Sequence, residues 1–384
     1  MTVGNFLRAT RERLKLTQAQ VAEKTHQSPW QLSRAAVSAI ERGQNFPGLE
    51  AMLALSNVLH IDPKELIERA RLTAVAPVDV TGLSDEELEN RASQFFWAGD
   101  YNQALAVYDA LVQKLALETP EVPERLAARL ATLEIRRATT LKRAGALISA
   151  IASVERAIVL TTKLPEVQAE AYVVLGDLQV QRGHLPLARD AADRAIELSK
   201  ASGLKSLGWA WMVKGRVYFL GSEFEQAKEA FQEARAQTEA SGDVQHLTHI
   251  DGNIGICWLE LGNRPEAKRW LESAIERAGK QQQPALEASW LVERGKVAFQ
   301  DGELDEAERF AKRALRVARP REHRLTIFRA EWLLHRVGRS KEPAKADRQR
   351  LALLENLFVA LDQHEGIEEI KEYKAMTLQA SRGG

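Results

Sequence analysis

Leu32-Ser33-Arg34-Ala35-Ala36-Val37-Ser38-Ala39-Ile40-Glu41-Arg42-Gly43 is the stretch whose reading decides the fold. Val37 and Ile40 are three apart, one apolar face of a short helix running from about Ser33 to Arg42. Gly43 stands where a left-handed C-cap would end it. Just upstream comes Thr17-Gln18-Ala19-Gln20-Val21-Ala22-Glu23-Lys24. Thr17 with Gln20 three residues later is a capping-box pattern, so another short helix starts there. Two short helices therefore follow one another, joined by Thr25–Leu32.

Working outward, residues 3–15 alternate at helical spacing, which predicts Phe6, Leu7 and Leu14 facing inward and Arg8, Arg11 and Lys15 outward. Pro47-Gly48 opens a fourth helix with Met52, Leu53, Leu55 and Leu59 on its apolar face. Asp62-Pro63-Lys64-Glu65 opens a fifth, with an acid at the N-cap, proline at the first helical position and glutamate in the first turn. Five short helices make residues 1–71 one all-α domain. Residues 72–83, with Pro77 and Gly82, break the helical pattern and read as an interdomain linker. Helix resumes at Ser84, paired with Glu87 in a second capping box.

Beyond that point a repeat dominates. Gly99-Asp100-Tyr101-Asn102-Gln103-Ala104 recurs as Gly145-x-Leu147-x-x-Ala150 and Gly183-x-Leu185-x-x-Ala188. It continues as Gly221-x-x-Phe224-x-x-Ala227, Gly262-x-x-x-x-Ala267 and Gly302-x-Leu304-x-x-Ala307. Successive alanines lie 46, 38, 39, 40 and 40 residues apart, a period of one helical hairpin. Ala195, Ala234, Ala274 and Ala314 follow the last four alanines by seven residues. Gly176, Gly255 and Gly295 precede their turn glycines by seven, whereas Gly215 precedes Gly221 by six. Antiparallel helices need small residues where their backbones cross closely, so glycine and alanine mark those crossings. One hairpin cannot bury its own apolar face, so several must stack. The fold class is therefore all-α: an N-terminal helix-turn-helix domain followed by an α-solenoid of helical hairpins over 84–320. Residues 321–384 keep helical periodicity (Trp332, Leu333, Leu351, Leu354, Phe358, Leu361) without the signature, a terminal cap and a candidate dimer surface.

Composition excludes several classes. Among 384 residues the formal net charge is zero, with 45% apolar and 28% charged residues, as in a globular protein. Residues 1–71 carry ten Lys/Arg against seven Asp/Glu, and the remainder carries 43 against 46, a mild asymmetry that permits an anionic partner at the N-terminal end. No apolar run reaches the roughly 18 residues of a membrane span, and residues 1–8 lack the pattern of a signal peptide. The single cysteine, Cys257, lies among Ile254, Ile256 and Trp258, which predicts a small core residue and suits a reducing cytoplasm. No HExxH, GxSxG or phosphate-cradling glycine loop occurs, and the eight histidines are scattered, so no enzyme, metal or cofactor is expected.

Residues 5–70 resemble the repressor-type helix-turn-helix domain of phage repressors and bacterial regulators, through Thr17-Gln18, Val21-Ala22, Ser33-Arg34, Val37, Ile40-Glu41-Arg42-Gly43, Pro47 and Leu53, Leu55 and Leu59. The resemblance implies a double-stranded DNA operator as partner. Val37 and Ile40 then face the core. Ser33, Arg34, Ala35, Ser38 and Arg42 belong to the helix presented to the major groove, and Gln18 sits where the family contacts phosphate. Arg34 could fork onto guanine, and Ala35 and Ala36 could meet thymine methyls. The turn Thr25–Leu32 is longer than the family's, a departure that could tilt the recognition helix or bring Trp30 or His26 to the backbone.

The hairpins resemble the tetratricopeptide repeat, lengthened to about 40 residues, with Ala92 and Ala138 at positions where glycine is usual. In that family the first helix of each pair lines the concave face. Its inward positions here are Asp177, Arg216, Ile256 and Lys296, with Val174, Val213, Asn253 and Glu293 three residues earlier. Arg136, Thr139 and Lys142 correspond in the second repeat. Arg136, Asp177, Trp209, Arg216, Asn253 and Lys296, with Met212 and Phe219, are the candidate ligand site: apolar and aromatic burial beside an asparagine that satisfies a peptide backbone's donor and acceptor together. The order of parts resembles the Rap–Rgg–NprR–PlcR–PrgX regulators. That resemblance implies a cytoplasmic quorum-sensing homodimer switched by a signalling peptide. Two alternatives stay open: a repeat array acting as a protein scaffold, or one that binds a response regulator, with no peptide ligand.

Overall fold

The computed structural model describes residues 3–26, 29–73, 82–117, 124–202, 206–342, 348–359 and 368–382. Every regular α or β element among them is an α-helix. The central part of the expected linker, residues 74–81, and Leu361 of the terminal segment lie outside the described residues. Contacts divide the chain into two units, 1–206 and 207–384. The division falls inside the repeat array because stacked hairpins touch only their neighbours.

The first unit opens with five helices: α1 (Val3–Arg13), α2 (Gln18–Thr25), α3 (Arg34–Glu41), α4 (Leu49–Leu59) and α5 (Pro63–Thr73). Their starts follow the sequence signals. Thr17 Oγ1 accepts from the Gln20 amide at 3.2 Å while Gln20 Oε1 accepts from the Thr17 amide at 2.8 Å. Asp62 Oδ1 accepts from the Lys64 amide at 2.8 Å at the head of α5. Val3, Leu7, Val21, Val37, Ile40, Met52, Leu55, Leu59 and Leu66 close one core. Leu53 is only half-buried at its edge. Leu14, expected inside, is 37% exposed. The helix has already ended at Arg13, and Lys15 turns the chain through a left-handed φ of 56°.

Three hairpins complete this unit: α6 (Asp85–Trp97) with α7 (Tyr101–Leu117), α8 (Glu124–Arg143) with α9 (Leu147–Leu160), and α10 (Pro165–Gln181) with α11 (Leu185–Ser202). Glu87 Oε2 accepts from the Ser84 amide at 2.8 Å, completing the expected capping box of α6. The second unit continues with α12 (Ser206–Leu220; its first residue belongs to the first unit), α13 (Phe224–Ala240), α14 (Val244–Glu260), α15 (Arg264–Lys280), α16 (Pro284–Gln300) and α17 (Leu304–Ala318). It ends with α18 (Arg324–Lys341), α19 (Arg348–Val359) and α20 (Glu368–Arg382).

The periodic small residues do what their spacing implies. Ala188, Ala195, Ala227, Ala234, Ala267, Ala274, Ala307 and Ala314 are all completely buried, as are Ala92 and Ala138 in the weaker repeats. A Cβ on Gly215 would lie 2.6 Å from the Phe231 ring, so that crossing has no room for a methyl group, and one on Gly295 would lie 3.2 Å from Phe310 Cβ on its partner helix, a tight approach. Gly99, Gly145, Gly183, Gly262 and Gly302 turn each hairpin with positive φ. The fourth hairpin differs. Its left-handed residue is Ser222, φ 61°, and not Gly221. Ser222 stands seven residues after Gly215 and five before Ala227, so it restores the register that a glycine-based reading of the sequence put one residue out.

Candidate nucleic-acid interface and repeat face

The N-terminal turn of α3 is built outward from its caps. Ser33 Oγ accepts from the Ala36 amide at 3.1 Å, so this hydroxyl starts the helix. Arg34 and Ala35, the next two residues, are exposed, and Ser38 one turn on is half-buried. Val37 and Ile40 are 2% and 5% exposed, which fixes the opposite face against the core. Arg42 is exposed at the other end, its Nε donating to the Ser38 carbonyl at 3.3 Å. Gly43 follows with φ 68°. Arg34, Ala35 and Ser38 thus share the outward side of a helix whose inward side is pinned.

What pins it is a polar group that the sequence reading did not assemble. Glu41 is 5% exposed. Its Oε1 accepts from Arg11 Nε at 2.6 Å, and its Oε2 accepts from Arg11 Nη2 at 3.0 Å and from Gln18 Nε2 at 2.8 Å. Arg11 also donates Nη1 to the Leu16 carbonyl at 2.9 Å. Arg11 was expected to face solvent, but its side chain is 11% exposed. The reason is Glu41: it lies four residues after Val37 on the inward face, and a buried carboxylate without a cation is prohibitively costly. Gln18 is likewise held at the α1–α2–α3 junction by this carboxylate. The two helices approach so closely that a Cβ on Gly4 of α1 would stand 2.4 Å from the Ile40 carbonyl oxygen of α3.

The long turn is closed by one buried threonine. Thr25 Oγ1 donates to the Ala22 carbonyl at 2.6 Å and accepts from the Leu32 amide at 2.9 Å. One hydroxyl therefore ties the end of α2 to the approach to α3, despite the intervening residues. His26 is exposed and Trp30 is half-buried, while Gln27 and Ser28 lie outside the described residues.

On the repeat array the expected ligand residues fall into two sets. In the first unit, Arg136 Nη1 reaches Glu89 Oε2 at 3.1 Å, and Asp177 Oδ2 accepts from Lys142 Nζ at 2.7 Å. Lys142 and Asp177 come from successive first helices and neutralise each other. On α10, desolvation pushes the Glu170 carboxyl above its ordinary range, opposed by the charge of Arg136. In the second unit, Trp209 is half-buried with its ring 4.3 Å from His246, edge-on. His246 Nδ1 is 2.6 Å from Asp243 Oδ2. Arg216 lies two turns after Trp209 on α12, half-buried. Asn253 Nδ2 donates to Met212 Sδ at 3.7 Å, a soft acceptor that a stronger one displaces readily.

Lys296 is engaged differently from expectation. Its Nζ lies 3.2 Å from Glu293 Oε2 and 3.3 Å from Glu369 Oε1. Arg329 Nε donates to Glu369 Oε1 at 2.9 Å, and its Nη2 also bonds Glu293. Burial alone would raise both carboxyls, but the charges of Arg329 and Lys296 hold both down, Glu369 to about 2. Trp332 Nε1 donates to Glu372 at 2.6 Å, and Ile370 and Tyr373 are buried against Phe328 and Trp332. The last helix therefore covers this end of the first-helix face. Glu369 and Arg329 were missed because an ion pair across 40 residues of sequence leaves no periodic trace. Cys257 is completely buried and its thiol is pushed up to about 12 by desolvation, the core residue its neighbours predicted.

Residues 2–72 match the family described as helix-turn-helix domain, and residues 259–323 match tetratricopeptide repeat. Over 94 residues the chain is 29% identical to the immunity repressor protein of Bacillus phage phi105, covering 24% of this chain and 62% of that protein. The chain thus spans less than two thirds of that relative's length. Among solved structures, the Rap conjugation gene regulator of the plasmid pLS20, in complex with the Phr* peptide, superposes with a TM-score of 0.56 at 16% identity, covering 96% of this chain and 97% of that one. The apo form of RapI gives 0.55 at 15% identity, covering 77% and 96%. At these identities the likeness is one of fold: a helical-repeat array preceded by a small helical domain.

Proposed function

We propose that this chain, a helix-turn-helix domain joined to a tetratricopeptide-like array, is a sequence-specific DNA-binding transcription regulator. It acts as a cytoplasmic homodimer whose array takes a short signalling peptide. The observation that carries the reading is α3: Arg34 and Ala35 are exposed at its first turn while Val37, Ile40 and Glu41 lock its other face. That is the geometry of a helix offered end-first to a major groove. One such helix reads only a half-site, so affinity requires two heads about one DNA turn apart, roughly 34 Å. A ligand that favours one array conformation then biases operator binding through its differential affinity for two states. Peptide binding is supported by Asn253, Arg216 and Trp209 on the first helices of the second unit, and by a structural neighbour solved with a peptide.

The second reading, a protein scaffold without peptide, is favoured by one specific fact. Arg136, Asp177 and Lys296 are already paired with Glu89, Lys142 and Glu369. The test selects duplexes from a random pool with the full-length protein and then measures operator affinity against a library of five- to ten-residue peptides. Arg34→Ala should relax sequence preference, and Asn253→Ala should abolish any peptide response without changing basal affinity. Absence of duplex selection at low salt sinks the DNA reading. Selection that no peptide modulates favours the scaffold.

A further inference from the structure

Helix α9 begins badly. Its N-cap is Ala146, with no side-chain cap bond, and Leu147-Ile148-Ser149 places no acid in its first turn. The first amides of a helix need acceptors, and alanine at the N-cap supplies none. The acceptor comes from another domain. Glu68 Oε2 accepts from the Ser149 amide at 3.2 Å, and Oε1 lies 3.4 Å from the Ile148 amide. Glu68 belongs to α5, whose Leu66 and Ala70 are buried in the core of the helix-turn-helix domain. That helix therefore uses one face for its own domain and turns a carboxylate from the other onto the second hairpin. The carboxylate also meets the positive end of the α9 dipole. Beside it, Ile67 is 38% exposed.

We propose that Glu68 is a strut that couples the DNA-binding domain to the second hairpin, so that the array and not the connecting chain sets where α3 points. The inference rests on the DNA-binding reading for its functional half. With the strut in place Arg34 and Ala35 remain exposed, so the docked domain is competent to meet DNA. Any rearrangement that moves α9 then carries α3 with it. Any rearrangement that withdraws the first turn of α9 frees the domain, and two freed domains no longer hold the spacing that a paired site requires. Burial pushes the Glu68 carboxyl above its ordinary range, while the Ser149 and Ile148 amides that it caps favour its charged form.

The experiment compares full-length wild type, Glu68→Ala and Glu68→Gln, the last retaining one acceptor oxygen. The structural arm reads amide exchange at Ile148 and Ser149, and distances between spin labels on Asn57→Cys and Glu155→Cys, both exposed positions. Cys257, buried with its thiol pushed up to about 12, stays unlabelled. Glu68→Ala should speed exchange at those two amides at least tenfold and broaden the distance distribution, and Glu68→Gln should restore most of both. The functional arm measures affinity for a selected two-half-site duplex and for one half-site alone. Glu68→Ala should weaken the former about tenfold and leave the latter unchanged. Unchanged exchange and an unchanged distribution in Glu68→Ala overturn the strut, as does an equal loss on one half-site and two. If wild type binds no duplex, the DNA reading fails, and the exchange and distance results still decide the strut.

Discussion

Two glycine-to-alanine substitutions on neighbouring helices should have opposite effects. Gly255 lies on α14 at a repeat crossing, and Gly279 lies on α15 with nothing within 4 Å of where its Cβ would be. Neither has positive φ, so alanine fits both backbones. At Gly279 the substitution should stabilise by about 1 kcal/mol, the helix-propensity difference. At Gly255 the new methyl would stand 2.8 Å from Leu271 Cγ and 3.2 Å from the Leu271 amide nitrogen. Comfortable carbon contacts begin at about 3.5 Å. Leu271 is fully buried, and a rotamer change moves the side chain but not the nitrogen, so α14 and α15 must separate. Overpacking of this kind costs about 3 kcal/mol at the upper end. Set against the propensity gain, the net loss is about 2 kcal/mol. Hydrogen exchange of the α14 and α15 amides suits the measurement, because stacked repeats open locally. Gly255→Ala should accelerate exchange about thirtyfold and Gly279→Ala should slow it about fivefold, at 1.4 kcal/mol per decade. Slower exchange in Gly255→Ala would refute the argument that glycine is present there because the helices cross without room for a Cβ.

Other outcomes follow from the same structure. Ser222 is the left-handed residue of the fourth hairpin, so Ser222→Gly should stabilise by about 1 kcal/mol, read as a rise in the urea midpoint, while Gly221→Ala should give no such rise. Arg11→Ala strips Glu41 of its cation and should destabilise the helix-turn-helix domain by about 3 kcal/mol, visible as faster exchange in α1–α3, whereas Arg34→Ala should leave that exchange unchanged. Glu369 is held to about 2 in the folded chain, below its ordinary value of 4.5. Its contribution to docking of α20 is thus present above about pH 4.5 and is lost as pH falls toward 2. The protection of α20 amides relative to their intrinsic exchange rate at each pH should fall over that window in wild type, and Glu369→Gln should already be released at neutral pH; pH-independent protection of α20 would contradict the assignment.

Some of this was legible because it is local. A threonine three residues before a glutamine, a proline after an aspartate and a serine three residues before a glutamate each act within one helical turn, so helix starts at 18, 63 and 85 followed from sequence. The repeat was legible because close crossings accept only small side chains, which writes a period into the chain. The fourth turn shows the limit of that logic: serine occupies the left-handed position and a neighbouring glycine misleads, since position is set by the register of the flanking helices and not by residue type.

The sequence by itself thus determined an all-α chain, a helix-turn-helix domain at its start, a hairpin period of about 40 and the outward turn at Arg34 and Ala35. Only the tertiary structure decided which charges meet. Arg11 turns inward to Glu41 across 30 residues, Glu68 caps a helix 80 residues away, and Lys296 is taken by Glu369 across 73. Periodicity reports which side of a helix avoids water. It is silent on long charged side chains, whose burial depends on a partner that folding alone brings within hydrogen-bonding reach.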